Sequence, residues 1–289
     1  MGWLWSKPVT THLWNRNTRI QWNEEGVEKL HNEIKEMITT FKEKKQPLNI
    51  LVFGPTACGK SSLCNGLKMA LDKETEVSHF FQAGRSETAS CSKHFQFTTW
   101  EECVTLYDMA GLFETEDIKD EYILNIIQGK VAFTGKLSHV LKPTPQASSE
   151  AQTNVSCVVI VLKPGMQLPR NLKRMITLVH RTGGEGGSAC HVVLTHLDEV
   201  VDHFKDPENL NEVFSSPEVQ RKVEDISQEV GLPPNAISFV RNYAFETQSD
   251  MKSTILFLHT FKQIIKAACD QEHKRARFAA AVATQNRGK

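Results

Sequence analysis

No stretch of this 289-residue chain approaches the roughly 18 uninterrupted apolar residues of a membrane-spanning helix, and its first residues lack the charged-then-apolar order of a signal peptide. Excess charge is also missing. The 34 basic residues cancel the 34 acidic ones, so no global field draws the protein to nucleic acid or to an anionic membrane. The seven cysteines, an odd number, include no C-x-x-C pair, which fits a reduced interior better than a disulfide framework. These absences lead us to expect a cytoplasmic protein with no nucleic-acid partner and no membrane contact. One lipid signal stands against that. Met1-Gly2-Trp3-Leu4-Trp5-Ser6 satisfies the loose M-G-x-x-x-[ST] acylation pattern, but an indole directly after Gly2 suits a narrow acyl-transfer site poorly.

What is present is ordinary for a globular protein: 40% hydrophobic and 24% charged residues, enough for one large or two small domains. Leu48 to Leu63, LNILVFGPTACGKSSL, is the informative stretch. Gly54-Pro55-Thr56-Ala57-Cys58-Gly59-Lys60-Ser61 fits G-x-x-x-x-G-K-[ST], between an apolar strand (Ile50, Leu51, Val52, Phe53) and a helix start. The two glycines permit a backbone whose N–H groups turn inward on phosphate oxygens, helped by the positive end of the following helix. Lys60 supplies a charge for the β and γ phosphates, and Ser61 a hydroxyl for a bridging Mg²⁺. The loop residues and Ser62 are therefore the expected nucleotide contacts, with Lys60 also catalytic. Thr56 occupies the crowded middle of the loop, which argues for slow chemistry. Cys58 lies near a helix N-terminus that would lower its thiol pKa and make binding oxidation-sensitive.

Downstream, Val104-Thr105-Leu106-Tyr107 ends in Asp108-Met109-Ala110-Gly111, a D-x-x-G at the carboxyl end of a strand. There Asp108 can orient a metal-bound water and Gly111 can contact the γ-phosphate. The next residue, Leu112, cannot hydrogen-bond an attacking water. The polar run Gly84 to Ser90 stands where a switch segment would carry a threonine to the metal and γ-phosphate. Thr88 is the candidate, with Thr75, Thr98 and Thr99 as competitors. Phe95, Phe97 and Thr99 alternate as in a strand.

A third motif ends the strand His191-Val192-Val193-Leu194: Thr195-His196-Leu197-Asp198 stands where guanine-specific proteins carry [NT]-K-x-D. The Asp198 carboxylate would accept from N1–H and the exocyclic amine of guanine, and adenine offers neither donor in that arrangement, so rejection of order 10⁴-fold is within reach. His196 replaces the usual lysine and can stack on the base. A histidine metal site from His191, His196 and His203 is disfavoured, because strand alternation sends His191 and His196 to opposite faces. Further on, Asn242 follows a short strand, Ala236 to Val240, at a position suited to a backbone contact with guanine O6.

Around these motifs, Val27, Leu30, Ile34, Met37, Ile38 and Phe41 recur at helical spacing until Pro47. Four of the five tryptophans (Trp3, Trp5, Trp14, Trp22) precede that helix, as in an extension packed on the core. Asp117 to Gln128 and Leu168 to Arg181 read as helices and Val155 to Leu162 as a buried parallel strand. A long helix follows with Ile255, Leu256, Leu258, Phe261, Ile264 and Ile265. The expected organisation is an extension over 1–46, a nucleotide domain over 47–272 and a basic tail over 273–289. The expected fold is an α/β phosphate-loop GTPase: a mainly parallel sheet with one antiparallel strand and helices on both faces.

GPTACGKSSLCNGL, DMAG, HVVLTHLDEV and FVRNY, with LWNR and IQW before the loop, resemble the GTPase region of the interferon-induced protein 44-like family, from about Leu13 to the long C-terminal helix. The resemblance implies a guanine-nucleotide-binding, interferon-responsive protein of vertebrate innate and antiviral immunity. The resemblance also implies that relatives can carry an additional N-terminal TLDc-type domain, which this chain, beginning close to the loop, is expected to lack. GTP or GDP with Mg²⁺ would be the ligands, and a protein partner or second copy could meet the nucleotide face. Slow hydrolysis by a switch is the expectation, a nucleotide-binding scaffold without turnover is the alternative, and an ATP-dependent kinase conflicts with Asp198.

Overall fold

The computed structural model describes residues 20–77, 79–81, 96–109, 120–129, 154–182, 187–243 and 246–287. Its first helix, α1 (Glu24–Glu43), starts where the Asn23 side chain accepts from Gly26 N at 3.0 Å, with Glu24 and Glu25 in the positively polarised first turn. Leu30, Ile34, Ile38 and Phe41 fall on one stripe and are buried. Trp22, just before this helix, packs against Phe214 with ring centroids 6.3 Å apart. Trp3, Trp5 and Trp14 lie outside the described residues.

The strands are β1 (Leu48–Phe53), β2 (Gln96–Trp100), β3 (Val104–Asp108), β4 (Cys157–Leu162), β5 (Ala189–Leu194) and β6 (Ile237–Phe239), in the order β2-β3-β1-β4-β5-β6. Among these described strands every pairing is parallel except β2 with β3, so the expected mainly parallel sheet with one antiparallel strand is what forms. β1 and β4 are buried along their whole length, as continuous apolar runs must be when both faces are covered. One face, carrying Leu51, Phe53, Val158 and Ile160, packs under α3 (Asp120–Ile127), α4 (Arg170–Thr182) and α6 (Pro217–Val230). The other, carrying Ile50, Val52, Val159 and Val161, packs under α1, α2 (Lys60–Asp72) and α7 (Met251–Arg287). Between β5 and α6 stand the four-residue α5 (Leu197–Val200) and two 3₁₀ segments, Asp202–Lys205 and Pro207–Ser215.

Register decides where the motifs meet. Val52 of β1 stands opposite Asp108, Leu162 opposite Leu194, and Leu194 opposite Phe239. The residues that follow each strand, Gly54, Met109, Thr195 and Val240, therefore emerge along one edge of the sheet. α7 is one continuous helix past His273; burial ends near Glu272 and residues 276–284 are exposed. Two further contacts tie distant segments together. Val77 N donates to Thr247 O (2.9 Å) and Ser249 N to Thr75 O (2.8 Å), while Asn65 Nδ2 donates to Phe81 O (2.9 Å) and Phe81 N to Asn65 Oδ1 (2.7 Å).

Candidate functional site

The phosphate-loop motif forms a closed turn between β1 and α2. Three residues take left-handed or related positive φ: Gly54 at 153°, Ala57 at 61° and Gly59 at 83°. At Gly59 a side chain would also collide, since a Cβ there would stand 2.6 Å from Asn242 Nδ2 and 3.3 Å from His196 Cε1. The loop is cross-braced from within. Lys60 Nζ donates to Pro55 O at 2.7 Å, and Cys58 Sγ donates to the same carbonyl at 2.9 Å. Lys60 is nearly fully buried, so its ammonium lies inside the turn.

Cys58 departs from expectation. Its side chain points into the protein and is 1% exposed, so burial raises the thiol pKa. Proximity to a helix N-terminus predicts a reactive thiolate only for a sulfur that reaches solvent, and this one does not.

On the far side of the sheet edge, the guanine-type motif grips the same loop. The Thr195 hydroxyl is fully buried, donates to Cys58 O at 2.7 Å and lies 2.8 Å from His196 Nδ1. His196 takes φ 54° at the start of α5, which sets its ring against Gly59. Burial lowers its pKa, partly offset by Glu199. Asp198 is half-buried on the first turn of α5. Asn242, following β6, donates from Nδ2 to Gly59 O at 3.1 Å. Side chains from two strand ends thus bond to consecutive loop carbonyls, those of residues 58 and 59.

The D-x-x-G aspartate completes the cluster. Ser61 Oγ donates to Asp108 Oδ2 at 2.6 Å, and Asp108 Oδ1, fully buried, has no partner. Burial pushes the Asp108 carboxyl up to about 6, opposed by the Ser61 hydrogen bond and the Lys60 charge. The chain therefore brings Lys60, Ser61, Asp108, Thr195, His196 and Asn242 around one loop, with Ser62 next to Ser61 on α2 and Asp198 on the first turn of α5. Gly111, Leu112 and the switch candidate Thr88 lie outside the described residues. His191 and His203 are elsewhere: the first, buried, pairs with Ser238 at 2.8 Å, and the second, exposed, with Glu212 at 3.1 Å. Among the described residues no cluster of three or more histidine, cysteine or acidic side chains could hold a metal ion. One neighbour escaped the sequence reading. Arg241, between β6 and Asn242, is buried and pairs with Glu246, and only a folded chain reveals that this cation faces inward.

No family model matches the chain. It is 26% identical to interferon-induced protein 44 of Homo sapiens over 263 residues, covering 85% of this chain and 58% of that protein. To the interferon-induced protein 44-like protein of Homo sapiens it is 24% identical over 243 residues, covering 77% and 52% respectively. The chain thus spans little more than half the length of these curated relatives. Among solved structures, Toc33 from Arabidopsis thaliana, a dimerization-deficient mutant, aligns at 18% identity and TM-score 0.44, covering 83% of this chain and 92% of that one. A probable GTP-binding protein engB aligns at 12% and 0.38, covering 67% and 88%. At such scores these two likenesses add nothing to the argument from strand order and register.

Proposed function

We propose that this chain, which is similar to interferon-induced protein 44 and its 44-like relative, is a guanine-nucleotide-binding protein, a slow GTPase that acts as a switch in an interferon-linked antiviral response in the cytoplasm. One observation carries the reading: Thr195 and Asn242 hydrogen-bond to consecutive carbonyls of the phosphate loop, so the base-side and phosphate-side motifs form one site. The loop amides and Lys60 hold the phosphates, and Asp198 reads the guanine edge beside the His196 ring. Mg²⁺ suits the remaining groups, because the buried Asp108 Oδ1 lacks a partner beside the Ser61 hydroxyl. Ser61 would hold it, Asp108 would stand behind through water, and Thr88 is the proposed third contributor. When bound, the ion neutralises charge on the β and γ phosphates.

Hydrolysis is expected to be slow, about 10⁻⁴ s⁻¹ as in unassisted small GTPases, because Leu112 cannot orient the attacking water. That same leucine favours the second reading, a nucleotide-dependent scaffold without turnover. A protein partner or second copy would then meet the nucleotide face. Melting curves with GTP, GDP and ATP, followed by phosphate release, separate the possibilities. A ligand at 100 times its Kd stabilises by about 2.7 kcal/mol. GTP and GDP should shift the curve and ATP should not, and Asp198→Asn should lose the guanine preference while remaining folded. A shift by ATP alone would discard the guanine assignment, GTP binding without phosphate release would leave the scaffold, and single-turnover release near 1 s⁻¹ would remove the slow-switch reading.

A further inference from the structure

Thr56 sits at the crown of the phosphate loop, between Pro55, whose carbonyl receives both Lys60 Nζ and Cys58 Sγ, and Ala57, which is left-handed. The neighbouring polar side chains of the loop are engaged: Lys60 and Cys58 with Pro55 O, and Ser61 with Asp108. The Thr56 hydroxyl is the exception, because Oγ1 is enclosed by the protein and makes no hydrogen bond. Enclosing a hydroxyl without a partner costs free energy, and valine would fill the same volume without that cost. The Lys60 ammonium is anchored on the carbonyl directly before Thr56, so the cation expected to neutralise phosphate is held one residue from this side chain.

We propose that Thr56 is a catalytic residue of the slow hydrolysis, its hydroxyl donating a hydrogen bond to the γ-phosphoryl group as that group parts from GDP. This rests on the nucleotide-binding reading above. In the step, the water oxygen forms a bond to the γ-phosphorus and the bond to the β–γ bridging oxygen breaks. GDP leaves with that electron pair, and the proton lost by the water ends on inorganic phosphate. Thr56 keeps its own proton throughout and stabilises the charge that develops on phosphoryl oxygen. The two ends of the side chain act in opposite senses in this reading: the methyl adds bulk within the loop, while Oγ1 supplies a donor that Leu112 cannot.

The test uses two substitutions that separate shape from hydroxyl. Thr56→Val keeps the crowding and removes the donor; Thr56→Ser keeps the donor and relieves the crowding. With GTP and Mg²⁺ saturating, Thr56→Val should slow single-turnover phosphate release by about tenfold to a hundredfold, the worth of one hydrogen bond to a charged group. Its affinity for GDP should change by less than about threefold, and Thr56→Ser should release phosphate at least as fast as the parent. Release by Thr56→Val at the parent rate, or equal slowing in both variants, overturns the proposal. GTP bound by the parent with no phosphate released over days also overturns it, and leaves the binding reading intact. No melting shift with GTP or GDP removes the binding reading itself, and the role of Thr56 with it.

Discussion

Lowering the pH from 7 to 5 should destabilise this fold through two histidines far from the loop. His191 is 1% exposed on β5, with Nε2 2.8 Å from Ser238 Oγ, and His259 is 9% exposed on α7, with Nε2 unpartnered and its ring 5.1 Å from that of Phe214. Burial depresses both, His191 to about 3 and His259 to about 4, each against an ordinary value of 6.5. Both states are neutral above pH 6.5, so the histidines have no effect there. Below it only the unfolded chain takes up protons, and stability falls until the folded values are reached near pH 3 to 4. At about 1.36 kcal/mol per pH unit, each histidine removes about 2 kcal/mol by pH 5, a result insensitive to folded values anywhere below 4. Asp108 acts in the opposite sense. Its folded value of about 6 lies above the ordinary 3.8, so protonation on acidification returns about 1 kcal/mol. The net loss is about 3 kcal/mol, a large share of the 5–15 kcal/mol of a typical domain. Urea titrations of the nucleotide-free protein at pH 7 and pH 5 measure it. His259→Phe, which keeps an aromatic ring against Phe214, should remove about 2 kcal/mol of the difference, and His191→Gln a similar amount. If the double variant lost as much stability between pH 7 and 5 as the parent, burial of neutral imidazoles would not be the cause.

Three further outcomes follow from packing and hydrogen bonding. Gly66→Ala would place a Cβ 2.3 Å from the Phe257 ring between α2 and α7, so about 1–3 kcal/mol of overpacking should appear in chemical denaturation. Asn65→Ala strands the amide and carbonyl of Phe81, a buried residue, and should cost about 2–4 kcal/mol, where a loss under 0.5 kcal/mol would deny the clamp. Cys58 should resist iodoacetamide and peroxide in the native protein and react only on unfolding. Mass-spectrometric labelling at the rate of a free thiol would contradict its inward orientation.

The loop, its strand and its helix are legible because glycine spacing and a continuous apolar run are local signals. Asp108 and Thr195 were legible for the same reason, each closing an apolar strand. What was not legible depends on partners distant in sequence. The inward turn of Cys58 follows from its bond to Pro55 O, and the left-handed turn at His196 places that ring against a glycine far earlier in the chain. The pairing of residues 75–77 with 247–249 has no alternating pattern to announce it, because a bridge two or three residues long imposes no period. Helix α6 was missing from the expected elements although Ser216 caps it, Pro217 opens it and Gly231 ends it at φ 71°. Those punctuation marks were readable, and the surrounding polar residues obscured the buried stripe of Val219, Val223, Ile226 and Val230.

Helix α7 has a consequence for how the protein is made. Ile255, Phe257, Leu258, Phe261, Ile264 and Ile265 cover the face of the sheet that bears Ile50, Val52, Val159 and Val161. Every strand of that sheet leaves the ribosome before this helix does. During translation the apolar face of the nascent sheet is therefore covered only once this helix has emerged, and until then it is the surface through which two unfinished chains would stick together.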